Sequence, residues 1–403
     1  MLPPACISEY SSFTLYGNSS DKNKLQERRT STVKENIIDL TFRVNTGYDS
    51  LIVSNHPLPE LGSKDVAVDV YYCGVNFADL YTRQGLNPRE QMPFVLGMEC
   101  SGIITNVGEQ VGNKFKVGDR VICYDYMGGL YRTKLIIPAT KCYAIPDEVT
   151  LKEAAALFVN YLTAYFSVVE LGNLRPNQHI LINSCAGGVG LAATQLAKLV
   201  NGVTIYGTTS QHKTEKALSY GVNHVLQYDN YKEQLKEICP DGLDLIIDNQ
   251  AVDNFTVTLG LLRTFGRIIL IGVNNIIRNE KQLPAEAFQN MASQIPVTNL
   301  MMGSTCIAGL HLGIITEENP SLIENSLKKI FSLLSENKIE LNIDSVWSMD
   351  DIHEATKVIQ ERRNIGKVLL STDVWSRQLL RGNLVERRRC YLFSPETHLD
   401  HIL

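Results

Sequence analysis

The chain has 403 residues, of which 44% are hydrophobic and 20% charged, with a formal net charge of -5. That length is enough for two domains and a sizeable core, and the composition is that of an ordinary globular protein. The charge gives no global reason to expect a nucleic-acid partner, and no apolar run approaches the ~20 residues needed to span a bilayer.

Nine cysteines (Cys6, Cys73, Cys100, Cys123, Cys142, Cys185, Cys239, Cys306 and Cys390) are scattered and form no C-x-x-C pair. Their odd number and spacing fit free thiols in a reducing compartment. No secretory h-region opens the chain, and Glu9, Asp21 and Glu27 argue against a mitochondrial transit peptide. The expectation is a cytoplasmic location.

Residues 1–34 are rich in Ser, Asn and charge and read as a flexible leader. Alternation from Asn36 to Val53 suggests strands, and Val66–Tyr72 (VAVDVYY) is a firmer one. Cys73–Leu86 (CGVNFADLYTRQGL) reads as a turn and a short helical piece with Gly85 as its stop. Phe94–Val107 and Gly118–Tyr124 are short strands between glycine turns, a spacing typical of a small barrel-like domain.

The pattern changes at Thr150. Thr150 and Glu153 form a capping box ahead of the alanine-rich helix EAAALFVNYLTAYFSVVE, which bridges the two halves. From Pro176 onward strands and helices alternate, with strands at Ile180–Asn183, Val203–Gly207, Val225–Tyr228, Leu243–Asp248 and Arg267–Val273. That alternation marks an α/β fold built on a doubly wound parallel sheet. Leu322–Asn337 carries Ile323, Leu327, Ile330 and Leu334 at helical spacing. Ile343–Val346, a helix at Asp351–Arg362 and a strand at Lys367–Leu370 close the fold, and beyond Ser371 the pattern dissolves into a tail containing Arg387–Arg389.

The most informative stretch is Ile180–Leu199, ILINSCAGGVGLAATQLAKL. It reads as a short apolar strand, a small-residue turn and a helix opening near Val189. On the pattern G-x-G-x-x-G, the glycine slots fall on Cys185, Gly187 and Gly190. Gly187 lets the backbone approach a pyrophosphate, and Gly190 lets the helix pack closely on the strand. With Ala186, Gly188 and Val189 they form a turn whose free N–H groups and positive dipole end suit phosphates. A lone fingerprint with Cys in its first slot is also compatible with an ordinary strand–turn–helix. The parallel crossover to the next strand favours a dinucleotide site.

An NAD site usually has an acid at the end of the second strand, to accept from the ribose hydroxyls. Here Gly207–Lys213 reads GTTSQHK, with no acid until Glu215. Ser210 and Lys213 could instead meet a ribose phosphate, with Tyr228 as a third candidate, or the segment could be a solvated loop. The expected cofactor is NADP(H).

GVNFADLYTRQG, GMECSGIITNVG, KVGDRVICY, EAAALFVNYLTAYF, SCAGGVGLAATQLAK and IGKVLL occur in this order. Together they resemble the quinone oxidoreductase branch of the medium-chain dehydrogenase/reductases. Within that branch, GLHLG, IDSVW and NIGKVLL make the chain similar to the synaptic vesicle membrane protein (vesicle amine transport protein) homologue group. The resemblance covers about residues 36–371. It implies a GroES-like, mostly β catalytic domain over 35–157, a Rossmann-type NADP(H)-binding domain over 158–314, and a return to the catalytic domain over 315–371. The leader and a disordered tail, 372–403, lie outside it.

The family has zinc and zinc-free forms. Zinc alcohol dehydrogenases would carry a cysteine ligand where this chain has Asn76, and a histidine ligand where it has Met98. Amide and thioether are poor replacements for thiolate and imidazole at zinc. The cysteine lobe of the family's structural zinc is missing too, and Cys73 reads as a buried small hydrophobe. The expectation is a zinc-free protein.

Without a Lewis acid, a conjugated acceptor such as a quinone or other α,β-unsaturated carbonyl is the natural substrate, because charge from hydride addition spreads to a distant oxygen. The resemblance places Asn76 at the nicotinamide and substrate, with Tyr81 as a donor nearby and Thr163 against the nicotinamide side. Each has a plain structural alternative: a turn residue, a packed aromatic, and a helix hydroxyl bonded to its own backbone. The resemblance also implies a homodimer through an edge strand near Thr305–Leu312, which is apolar. A second reading is an interaction protein of vesicle or mitochondrial membranes with little turnover. Its only support in the residues is the basic clusters Arg28–Arg29 and Arg387–Arg389, so any membrane association would be peripheral.

Overall fold

A computed structural model describes residues 36–42, 51–84, 94–250, 255–276 and 297–372. The leader, the stop at Gly85, the tail and both arginine clusters lie outside the described residues.

The first strands are β1 (Asn36–Phe42), β2 (Leu51–Pro57), β3 (Asp65–Val75), β4 (Phe94–Val95), β5 (Glu99–Val107), β6 (Arg120–Tyr124), β7 (Lys134–Pro138) and β8 (Cys142–Ala144). They are followed by β9 (His179–Ile182), β10 (Thr204–Thr208), β11 (His224–Leu226), β12 (Leu243–Asp248), β13 (Leu262–Leu270) and β14 (Cys306–Gly309). The last two are β15 (Ile343–Ser348) and β16 (Lys367–Ser371).

They make three sheets. β2-β1-β4 is a small antiparallel one, and β15-β16-β3-β5-β6-β8 is a mixed sheet with β7 also paired to β3. The third, β11-β10-β9-β12-β13-β14, is parallel throughout. The chain is therefore α/β, with a mostly β part of GroES type beside a six-stranded Rossmann-type sheet. Strands β15 and β16 come last in sequence yet join the mixed sheet, β16 antiparallel to β3 and β15 parallel to β16. Parallel strands buried on both faces read as continuous apolar runs, and β12 (LDLIID) is buried along its whole length.

Two helices link the sheets. Helix α1 (Phe77–Arg83) follows β3 directly and is opened by a capping box between Asn76 and Asp79. Helix α2 (Leu151–Tyr165) begins with the box expected at Thr150 and Glu153, whose backbone and side chains bond reciprocally. After Tyr165 the helix widens into a π turn at Phe166–Glu170. Its face of Leu157, Phe158, Leu162 and Ala164 lies in one core with Ile180 and Ile182 of β9, while Ala155 and Ala156 pack on Leu369 of β16. Burying both faces of α2 ties the two sheets together and fixes the cleft between them.

Candidate active site

The cleft opens at the carboxyl ends of β9 and β10, where open α/β sheets bind ligands. Its empty space, counted together with the open solvent at its mouth, is about 1080 Å³.

Its phosphate side is the turn after β9. Ser184 adopts φ 58°, Gly187 caps the following helix, and α3 (Gly188–Lys198) starts one residue before the expected Val189. A Cβ on Gly190 would lie 2.3 Å from the Ser184 carbonyl oxygen and 2.7 Å from Cys185 Cα. One on Gly188 would lie 2.2 Å from the Asn160 amide. At Gly190 the obstructing atoms are backbone, so glycine is needed to bring α3 against the turn, whereas at Gly188 the Asn160 side chain would have to move. Gly187 has more room, with the Ser184 oxygen at 3.3 Å. Cys185, in the first glycine slot, is fully buried because Gly207 opposite leaves space: a Cβ there would meet its Sγ at 2.6 Å. No side chain caps α3, so its first-turn N–H groups remain available at the cleft wall.

A polar network holds this turn. The Ser184 amide donates to Thr208 Oγ1, which donates to Asn183, whose amide donates to Asp248. Tyr228 donates to Ser184 Oγ at 3.1 Å, and burial raises its hydroxyl pKa above the ordinary value. Gln250 also donates to Ser184 Oγ, at 2.6 Å. Ser210 and Lys213 line the same cleft as Tyr228.

Lys213 is 5% exposed, and its ammonium donates to the backbone oxygens of Arg362 and Asn364, both at 2.6 Å. Burial pushes it down to about 8, while the Asp344 carboxylate pulls the other way. It thus reaches the cleft and also ties the end of β10 to the segment before β16. That segment is stitched to the glycine turn as well, through the bond from the Gly366 amide to the Ala186 oxygen.

The opposite wall carries Asn76, Tyr81 and Thr163, so one cleft brings together all the sequence-predicted catalytic residues and the cofactor candidates except Ala186. Asn76 is 8% exposed and its amide is heavily engaged. It donates to Glu99 Oε1 at 2.9 Å and to the Gly74 oxygen at 3.2 Å, and its own oxygen accepts from Lys367 at 2.7 Å. Lys367 and Glu99 form an ion pair, 3% and 0% exposed, and Glu99 Oε2 also accepts from the Val159 amide of α2. Below it, Asp79 accepts from the Asn76 backbone N–H and the Tyr131 hydroxyl; burial pushes its carboxyl up to about 6 against those bonds.

Tyr81 is not free. Its hydroxyl donates to Asn274 and accepts from the Val273 amide at 3.0 Å, holding the loop after β13 against α1. Sequence reasoning missed Glu99, Lys367, Asn160, Asn274 and Arg362. Glu99 and Lys367 did leave a signal: each is a lone charge in an apolar strand, ECSGIITNV and KVLLS.

The donor set does not suit zinc. Beside the Asn76 amide stands the Lys367 ammonium, which repels a cation, and the Met98 thioether packs against the apolar core instead of lining the cleft. Cys73 gives its thiol to the Leu130 oxygen and is fully buried, which raises its pKa far above the thiol range. Among the described residues no group of three His, Cys, Asp or Glu side chains is placed to hold a metal.

Two family models match the chain: the alcohol dehydrogenase GroES-like domain over residues 62–147 and the zinc-binding dehydrogenase over residues 188–328. The synaptic vesicle membrane protein VAT-1 homolog of Danio rerio is 38% identical over 333 residues, covering 81% of this chain and 68% of that protein. The crystal structure of the human VAT-1 homolog-like protein superposes with a TM-score of 0.73 at 29% identity, covering 84% of this chain and 98% of that one. Escherichia coli quinone oxidoreductase, solved in complex with NADPH, gives 0.74 at 25% identity, covering 83% and 99%. The chain belongs to the medium-chain dehydrogenase/reductase family, in its quinone oxidoreductase-like branch with the VAT-1 homologues.

Proposed function

We propose that the chain is an NADPH-dependent oxidoreductase that delivers hydride to quinones or other α,β-unsaturated carbonyls without a catalytic zinc. The observation that carries this reading is that a glycine-cradled helix terminus and a buried polar floor face each other across one cleft. The residues fit the cofactor: Gly188 and Gly190 are positions where a Cβ would collide, and they open the end of α3. The first-turn N–H groups from Gly188 to Gly190 would hold the pyrophosphate. Ser210 and Lys213 would meet the ribose phosphate, and Tyr228 braces the turn through Ser184. Bound NADPH would supply the hydride; the chain orients the reacting groups and limits water. Asn76 and Thr163 border the reaction space, while Tyr81 acts through Asn274 and Val273 to fix the wall.

The edge strand β14 pairs only with β13 among the described strands and leaves Cys306 and Gly309 exposed, which supports a homodimer joined along that edge. The relatives' names support a second reading, an association with vesicle membranes. No helix of the described residues is long and apolar enough to cross a membrane.

Fluorescence titration of NADPH and NADH tests the first reading. Tighter binding of NADPH is expected. Equal affinity for both, or no binding of either, would oppose it and favour the interaction protein.

A further inference from the structure

The floor of the cleft holds a fixed cation. Lys367 projects from β16 into the space below Asn76, and its ammonium has two acceptors among the described residues, Asn76 Oδ1 and Glu99 Oε1. An ammonium has three N–H donors. Lys367 also lines the cleft, as Val159, Thr163 and Asn76 do.

The surroundings are shaped around this group. A Cβ on Gly74 would lie 2.4 Å from Glu99 Oε1, 2.7 Å from Lys367 Cε and 2.8 Å from the Ala155 oxygen. Glu99 is held from its other side by the Val159 amide, so the carboxylate cannot swing away without breaking a bond to α2. Asn76 has given both amide protons to Glu99 and Gly74. It therefore cannot donate to a substrate carbonyl unless this network breaks, and Tyr81 has given its proton to Asn274. Among the described residues around Asn76, Lys367 carries a charged N–H beyond the two given to Asn76 and Glu99, whereas Arg362 lies at the far end of the wall, on the Asn274 carbonyl.

We propose that Lys367 is a catalytic residue, the hydrogen-bond donor to the oxygen of the conjugated acceptor, and that Glu99 and Asn76 hold its ammonium in place. This rests on the reading of the cleft as a hydride-transfer site. In the step, a C–H bond would form at the electron-poor carbon with the hydride that bound NADPH supplies, leaving the cofactor oxidised as NADP+. The C=C π pair moves toward the carbonyl, negative charge gathers on the oxygen, and a solvent proton completes the product. The ammonium stabilises that oxygen from a preorganised position, which is worth more in a site poor in water. A cation that the fold itself supplies thus takes the part that a metal Lewis acid plays elsewhere.

The test uses 4-nitrophenol as a stand-in for the charged oxygen, because its phenolate is read directly by absorbance without turnover. Wild-type protein should bind it as the phenolate and lower its apparent pKa. The charge-balanced double variant E99Q/K367M avoids leaving a carboxylate buried alone. It should bind the phenolate roughly tenfold to a hundredfold more weakly, as expected for loss of one charge-assisted bond. K367R should recover part of the loss. In turnover, the double variant should lose kcat more than it raises KM. Unchanged phenolate affinity in a folded double variant would overturn the assignment and leave the pair as structural. Phenolate binding that depends on Lys367, with no quinone or enone reduced by the wild type, would overturn the catalytic role together with the reductase reading.

Discussion

Lys213 lines the cleft proposed for the cofactor and also holds two segments of the fold together. Its ammonium spans from the end of β10 to the carbonyls of Arg362 and Asn364, so removing it loosens that tie as well as any phosphate contact. A charge-assisted bond of this kind contributes roughly 1.5–3 kcal/mol, about one to two powers of ten in affinity. Lys213→Met keeps the bulk and should weaken NADPH by that factor while leaving NADH nearly unchanged in a fluorescence titration. Equal weakening of both would make the lysine a structural tie only. The pH dependence has a definite sign. Below about 8 the folded ammonium is charged and attracts the phosphate; as pH rises through about 8 it is lost, so the preference for NADPH should shrink. Stability moves the other way. The unfolded chain binds the extra proton between about 8 and the ordinary 10.5, so stability gains from this group as pH rises through that window. The lysine was legible in the sequence because the second strand ends without an acid. Its carbonyl partners were not, since they lie 149 and 151 residues away.

At the scale of elements, the turn into α3 is the most demanding piece of local structure. Gly190→Ala would press a methyl into the Ser184 oxygen and Cys185 Cα, both backbone atoms, so α3 must shift. Overpacking of this kind typically costs about 1–3 kcal/mol. Thermal denaturation should show a lower midpoint, and NADPH affinity should fall with it. An unchanged midpoint with full binding would mean the turn is looser than its geometry. This element was readable because small residues clustered between an apolar strand and a helix. Cys185 in the first slot was harder to place, because its tolerance depends on Gly207 in the neighbouring strand. Strand limits were less legible: β13 begins at Leu262 rather than Arg267. There Phe265 has φ 64° and is 78% exposed, which breaks the apolar pattern that periodicity relies on. The Glu99–Lys367 pair escaped notice for a related reason, since only the sheet brings residues 268 apart together.

The whole molecule is organised by strands from both ends of the described chain meeting in one sheet, with the Rossmann-type sheet inserted between them in sequence. Periodicity alone could mark β15 and β16 as strands; the resemblance implied a return to the β-rich domain, and the pairing of β16 with β3 was not legible. The exposed side of β14 bears on assembly. Sedimentation should give a dimer mass that falls only on strong dilution, and a concentration-independent monomer would exclude pairing along that edge. The central claim is the chemistry of the cleft. Its most direct measurement is NADPH absorbance at 25 °C with a panel of small quinones, with and without the protein. The account predicts protein-dependent NADPH loss, faster than NADH loss under the same conditions and insensitive to metal chelator. No protein-dependent loss with any quinone, or loss that requires added zinc, would contradict it.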